Sequence, residues 1–98
     1  MIVTAPLPSE LSQLAERETW FSHTDAGRVL DWLESKGARL LGVETARKQS
    51  DGKWELLLDP MLDLSSEGDA ATTVRQGRDF IARYSDPALM FEPVWTDD

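Results

Sequence analysis

The most regular hydrophobic pattern in the chain lies between positions 22 and 37. Four apolar residues recur there at intervals of three and four positions, which places them on one face of an α-helix: Ala26, Val29, Leu30 and Leu33. Ser22 and Asp25 fit the capping box, in which a hydroxyl and a carboxylate bond the free amides of the first turn, and Thr24 is a rival cap. Gly37 supplies a left-handed terminator. These features predict a helix from about Asp25 to Lys36 with its apolar face buried.

Weaker patterns predict one helix before this one and one after it. Near the start, Ser9 is a candidate cap for a short helix, and the few residues ahead of it are compatible with an edge strand. The apolar residues of this short helix are Leu11, Leu14 and Ala15. Further on, Ser65 or Ser66 can cap a third helix, Ser66 with Asp69 resembles a second capping box, and Asp86-Pro87 stops the helix. Its apolar residues recur every three or four positions: Ala70, Val74, Gly77, Ile81 and Tyr84.

Between the second and third helices the pattern becomes that of a β-hairpin. Strand character runs from Arg39 to Lys48, Asp51-Gly52 marks a tight turn, and a second strand runs from Lys53 to Asp59, where Pro60 ends it. With Asp51 and Gly52 as the two loop residues, alternation predicts one face that packs on the helices. Its members are Leu41, Val43, Thr45, Trp54, Leu56 and Leu58. The same register sets Glu44 opposite Asp59, a repulsive pair unless water, a cation or a partner separates the charges.

The apolar segment from Leu89 to Trp95 follows the third helix. Pro93 within it is tolerated at the edge of a sheet but not at its centre, so this segment is a candidate third strand at an edge. The expected fold class is α+β, with an antiparallel β-hairpin, or three strands if the C-terminal segment joins it, packed in two layers against two main helices. A short N-terminal helix completes the fold, and residues 1–98 are expected to form one small domain.

Charge limits the classes of partner. The 18 acidic residues outnumber the 10 basic ones and give a net charge of −8, which disfavours direct binding to nucleic acid. No Lys or Arg occurs from Trp54 to Val74, although acids are frequent there: Glu55, Asp59, Asp63, Glu67 and Asp69. Two interpretations remain open, namely a solvated face that keeps the protein in solution and a docking surface for a basic protein.

Several kinds of chemistry lack the residues that they need. The chain has no cysteine, which removes disulfides, thiolate metal sites and cysteine nucleophiles. The single histidine, His23, stands between Ser22 and Thr24 at a helix start, where adjacent side chains diverge and act as caps rather than as a catalytic triad. The sequence contains neither the acid order of a calcium loop nor a glycine-rich phosphate loop. We expect no cofactor, no metal and no enzymatic activity.

The sequence also bears on location. No stretch approaches the roughly 18 apolar residues that a membrane span requires, and the N-terminus lacks the charged and apolar regions of a signal peptide. The expectation is a cytoplasmic protein with no membrane association.

Four tryptophans in so short a chain indicate either a tryptophan-rich core, which is the default interpretation, or exposed interface anchors. Trp95 either packs on the body of the domain or forms an apolar patch with Met90 and Phe91, and Asp97 and Asp98 would give that patch an acidic rim, as interfaces have. The candidate partner-binding residues are therefore Asp59, Asp63, Glu67, Asp69, Phe91 and Trp95.

Two functional hypotheses follow. The first is a small acidic protein-binding module that docks a basic protein partner as an inhibitor, antitoxin-like or immunity-like protein. The alternative is a structural or assembly protein that forms a homodimer or other homo-oligomer, or joins a larger complex, through an edge strand or the apolar C-terminal segment.

Overall fold

The computed structural model describes residues 7–64, 66 and 68–96. Three helices and three strands follow one another along the chain: α1 (Ser9–Ser12), α2 (His23–Lys36), β1 (Arg39–Lys48), β2 (Trp54–Asp63), α3 (Ala70–Ala82) and β3 (Leu89–Thr96). The strands form one antiparallel sheet in the order β2-β1-β3. This arrangement confirms the α+β class and the third, edge strand. The edge strand suggested ahead of α1 lies outside the described residues.

The second helix forms for the reasons that the sequence indicates. The Ser22 hydroxyl accepts a hydrogen bond from the Asp25 amide and donates one to the Asp25 carboxylate, each at 3.3 Å. Gly37 ends the helix with a φ of 72°. The four residues of the apolar stripe are all fully buried. The helix begins at His23, two residues before the predicted start, because its cap is Ser22 and the cap is followed directly by the first turn.

The third helix begins later than its candidate serine caps. Asp69 is the cap, and its carboxylate accepts a hydrogen bond of 2.8 Å from the Thr72 amide. Ser66 therefore does not begin the helix, and Ser65 lies outside the described residues. Gly77 is buried on the inner face of α3, where an added Cβ would approach Leu40 Cδ2 to 2.4 Å. The glycine thus lets α3 lie close against β1.

The predicted register of the hairpin is wrong by one residue. The connection runs through residues 49–53, with Gln49 N donating to the Lys53 carbonyl at 2.8 Å and Gly52 at a φ of 87°. Lys48 consequently pairs with Trp54. Side chains alternate along a strand, so this slip turns Trp54 and Leu56 to the face opposite the helices.

The second strand also continues beyond its predicted end. It passes through Pro60, after a cis peptide bond, and reaches Asp63. Its residues around Pro60 bulge away from regular pairing, and the Thr45 hydroxyl donates to the Pro60 carbonyl there. Glu44 therefore does not lie opposite Asp59 in the ladder.

The two helices and one face of the sheet enclose the main core. Its fully or almost fully buried members include Leu30, Leu33, Leu40, Val43, Val74, Phe91 and Trp95. A smaller cluster lies on the other face of the sheet and consists of Trp20, Ala46 and Met90, with Trp54 packed against it. Among the described residues, no helix is long and apolar enough to span a membrane.

Candidate functional site

The sheet has one face covered by α2 and α3 and another that is largely uncovered. The segment 16–21 crosses one end of the uncovered side, where the Trp20 and Trp54 rings meet edge to face with centroids 6.1 Å apart. Beyond this segment, Leu56 is 74% exposed and Met61 is 48% exposed. We call this region the open face and define it by five residues: Glu44, Leu56, Met61, Glu92 and Val94.

Two adjoining hollows shape the open face. One has a volume of about 220 Å³ and lies between β1, β2 and Val94. The other has a volume of about 230 Å³ and is lined by Trp20, Leu56 and Glu92. Glu44 and Met61 line both hollows. The open face is therefore concave, apolar over much of its area, and acidic near its centre.

The acidic centre consists of two carboxylates on neighbouring strands. Glu44 of β1 and Glu92 of β3 are directly paired in the antiparallel ladder. Burial raises the pKa of Glu92, and a hydrogen bond from the Thr19 hydroxyl opposes this effect. A side-chain hydrogen bond with Glu44 and the negative charges of Glu44 and Glu18 raise the pKa further. The net result is a pKa above the usual value for glutamate. A raised pKa of this origin marks a place where negative charge is concentrated and incompletely solvated.

The nearby cations of the chain are engaged elsewhere. Lys48 pairs with Glu16 at 3.8 Å, and Arg47 pairs with Asp86 at 2.6 Å. The Arg17 guanidinium lies 4.6 Å from the centre of the Trp54 ring. Of the ion pairs formed within the described part of the chain, none involves Glu44 or Glu92. Within the described residues, the two carboxylates therefore lie close together without an ion-pair partner.

A tight turn brings Thr19 to this site. Trp20 N donates to the Arg17 carbonyl at 2.8 Å, and Glu18 within the turn has a φ of 49°. This left-handed conformation is uncommon for a residue other than glycine. It directs the turn so that the Thr19 hydroxyl reaches the Glu92 carboxylate.

The structure distributes the predicted partner-binding residues over several places. Phe91 is fully buried and Trp95 is 5% exposed, so both belong to the core between the sheet and the helices. Trp95 therefore packs on the body of the domain, which is one of the two alternatives that the sequence left open, and neither residue is an exposed anchor, because the alternation of β3 directs its odd-numbered side chains toward the helices. Asp69 caps α3, and the hydrogen bond from the Thr72 amide lowers its pKa. Asp59 and Asp63 are exposed on β2, and Glu67 lies outside the described residues.

Asp63 is the candidate among the described residues that lines the first hollow, beside the open face. Sequence reasoning singled out Glu44 but gave it the wrong opposite residue, and it did not select Leu56, Met61 or Glu92. One feature of the sequence does indicate an apolar residue on the uncovered face of the sheet. Three consecutive leucines occupy positions 56 to 58, and a strand with only one covered face cannot bury all three.

Other kinds of site find little support in the described residues. No group of three or more side chains of His, Asp or Glu in residues 7–64, 66 and 68–96 is placed to hold a metal ion. His23 begins α2, and its ring lies 6.4 Å from that of Phe91. No family model, curated protein or solved structure matches this chain. The geometry of the open face therefore carries the functional argument.

Proposed function

We propose that this protein is a small acidic binding module that docks a basic protein partner on the open face. The observation that carries the proposal is the presence of two exposed large hydrophobic side chains, Leu56 and Met61, beside a carboxylate pair that has no counter-ion within the described chain. A role as an inhibitor, antitoxin-like or immunity-like protein suits such a module.

The two kinds of contact contribute in different ways. Burying a side chain the size of Leu56 or Met61 against a partner stabilises the complex by about 1.5–3 kcal/mol. The net charge of −8 speeds the approach of a basic protein and slows that of an acidic one. Affinity is therefore expected to depend on the hydrophobic residues, and the association rate on the ionic strength.

The alternative of assembly through the C-terminal strand is less favoured, because the outer edge of β3 is occupied. Phe21 and Phe91 exchange two backbone hydrogen bonds of 2.8 Å each, and Leu89 N donates to the Asp86 carbonyl at 3.0 Å. Pro93, two residues further on, has no amide hydrogen to offer. The backbone groups on the outer side of β3 belong to alternate residues, namely Leu89, Phe91 and Pro93. Since the first two amides are already bonded and the third residue has no amide hydrogen, this edge lacks the free donors that strand addition needs.

The experiment that tests the proposal is capture of the partner by the immobilised chain, followed by kinetic measurement with the identified partner. The double variant Leu56→Ser with Met61→Ser should lose binding. The control Ala82→Ser changes an exposed apolar residue on α3, away from the open face, and should bind normally. Raising the salt concentration should slow association much more than it changes dissociation. Unchanged binding by the double variant would rule out the open face as the docking surface.

A further inference from the structure

We infer that the partner inserts one arginine side chain into the open face, with its guanidinium between Glu44 and Glu92 and its aliphatic stem against Leu56 and Met61. This inference rests on the proposed function and specifies the chemical group that the open face recognises.

The geometry supplies a receptor for one long side chain. Glu44 and Glu92 are opposite each other on adjacent strands, so their Cβ atoms are about 4.5–5.5 Å apart and their side chains leave the sheet on the same side. Both line the hollow of about 230 Å³, whose other walls include Trp20, Leu56 and Met61. A single water needs only roughly 10–15 Å³ of such space. The hollow therefore accommodates a side chain rather than one water molecule or a bare ion.

The charge of the hollow selects a cation. Two carboxylates meet there without an ion-pair partner in the described residues, and their mutual repulsion together with burial opposes the ionisation of Glu92. A cation that contacts both carboxylates offsets their repulsion and favours the charged form of Glu92. An uncharged or acidic side chain would leave the repulsion in place.

The shape of the site favours arginine over lysine. A guanidinium is planar and has five N–H donors in a fixed fork, so it can donate to two carboxylates at once. A lysine ammonium is a compact point charge that remains more strongly hydrated. The flat guanidinium and its stem also suit apolar walls such as Trp20 and Leu56 better than a hydrated ammonium does.

A second copy of this chain is a poorer occupant. Each copy has a net charge of −8, and face-to-face association would bring the Glu44–Glu92 pairs of two copies together. The like charges would oppose association in the part of the surface where burial is deepest. The partner is therefore a different, basic protein with an exposed arginine.

The test uses N-acetyl-arginine methylamide as the probe and isotope-labelled protein observed by NMR. Its uncharged isostere, N-acetyl-citrulline methylamide, is the matched ligand control. The arginine probe should produce saturable shifts in the Leu56 and Met61 methyl signals and in the Glu44 and Glu92 amide signals. Citrulline should produce none. Absence of a saturable shift with arginine, or equal shifts with citrulline, would overturn the inference, as would tighter binding of the corresponding lysine probe.

Variants separate this inference from the proposed function. Glu44→Gln and Glu92→Gln should each weaken the arginine probe about tenfold. Asp79→Asn, an equal change in charge on the exposed side of α3, should leave its affinity unaltered. If partner capture depends on Leu56 and Met61 but neither glutamine variant weakens it, the docking surface stands and the arginine contact is wrong. If capture does not depend on Leu56 and Met61, the proposed function itself fails.

Discussion

Replacing Glu92 by glutamine should make the protein more stable at neutral pH. Glutamine has nearly the same shape, its side-chain oxygen can still accept the hydrogen bond from Thr19, and its amide group can donate to Glu44. The substitution removes one of two like charges that face each other across adjacent strands. Most single substitutions destabilise a protein, so an increase in stability would be a distinctive result.

The expected size of the effect follows from the cross-strand geometry. Directly opposed side-chain pairs alter stability by about 0.2–1 kcal/mol. For a domain of this length, a change of 1 kcal/mol shifts the melting temperature by roughly 4–8 °C. We therefore expect Glu92→Gln to melt about 1–8 °C higher than the wild-type protein at pH 7.

The pH dependence has a definite sign. The pKa of Glu92 is raised by folding, so its proton binds more tightly to the folded state than to the unfolded state. Its contribution to stability is present below the unfolded pKa and is lost as the pH rises through the folded pKa. The advantage of Glu92→Gln should therefore be largest at pH 7 and disappear near pH 4. The pKa values of Asp69 and Asp86 are lowered by folding, so the stability that these carboxylates contribute is lost as the pH falls. The wild-type protein and the Glu92→Gln variant share this loss, which therefore cancels when their stabilities are compared.

Urea unfolding followed by far-ultraviolet circular dichroism at the two pH values measures this difference. Asp79→Asn is the control for the change in net charge, and Glu92→Gln should be the more stable of the two variants at pH 7. If Glu92→Gln is less stable than the wild-type protein at both pH values, Glu92 contributes a structural hydrogen bond and the repulsion argument is wrong. If Glu92→Gln is more stable than the wild-type protein, the carboxylate of Glu92 lowers the stability of the folded chain. Such a cost in stability is common at binding sites.

The same unfolding assay tests three further substitutions. Gly42→Ala should lower the free energy of unfolding by about 1–3 kcal/mol, because the new Cβ would lie 2.5 Å from the Leu62 carbonyl oxygen. Gly27→Ala is its control within α2, where a Cβ meets no atom within 4 Å, and should raise stability by about 0.5–1 kcal/mol. Equal effects of the two alanines would contradict the close approach of β2 to Gly42. Thr73→Val should cost about 1–3 kcal/mol, since the buried Thr73 hydroxyl accepts a 3.1 Å hydrogen bond from the Leu40 amide. Faster hydrogen exchange at Leu40 should accompany that loss, and an unchanged exchange rate would show that the bond is unimportant.

The parts of the fold that the sequence predicted well are those determined by neighbours in the chain. The Ser22 cap, the Gly37 terminator and the apolar stripe of α2 each depend on residues within a few positions of one another. The hairpin was located correctly for the same reason. Its register was not, because Asp51-Gly52 suits both a two-residue turn and a longer connection in which Gly52 alone takes the left-handed conformation.

The candidate site was largely missed because it depends on contacts between distant segments. The pairing of Glu44 with Glu92 requires β3 to lie beside β1, with its register set by an irregularity between Leu40 and Gly42. Neither local propensity nor hydrophobic alternation determines the position of such an irregularity. Whether Phe91 and Trp95 are packed or exposed could not be predicted from the sequence, because β3 has apolar side chains at both odd and even positions and only the completed sheet shows which side meets the helices.

The backbone contact between Phe21 and Phe91 also limits how the sheet could be extended by strands from other molecules. A small sheet with exposed leucine and methionine is prone to stack and to extend by adding strands from neighbouring molecules. Here the chain seals one border of its own sheet, and the bulge around Pro60 disrupts the other border. Both borders of the sheet are therefore poorer templates for an added strand than a regular free edge would be.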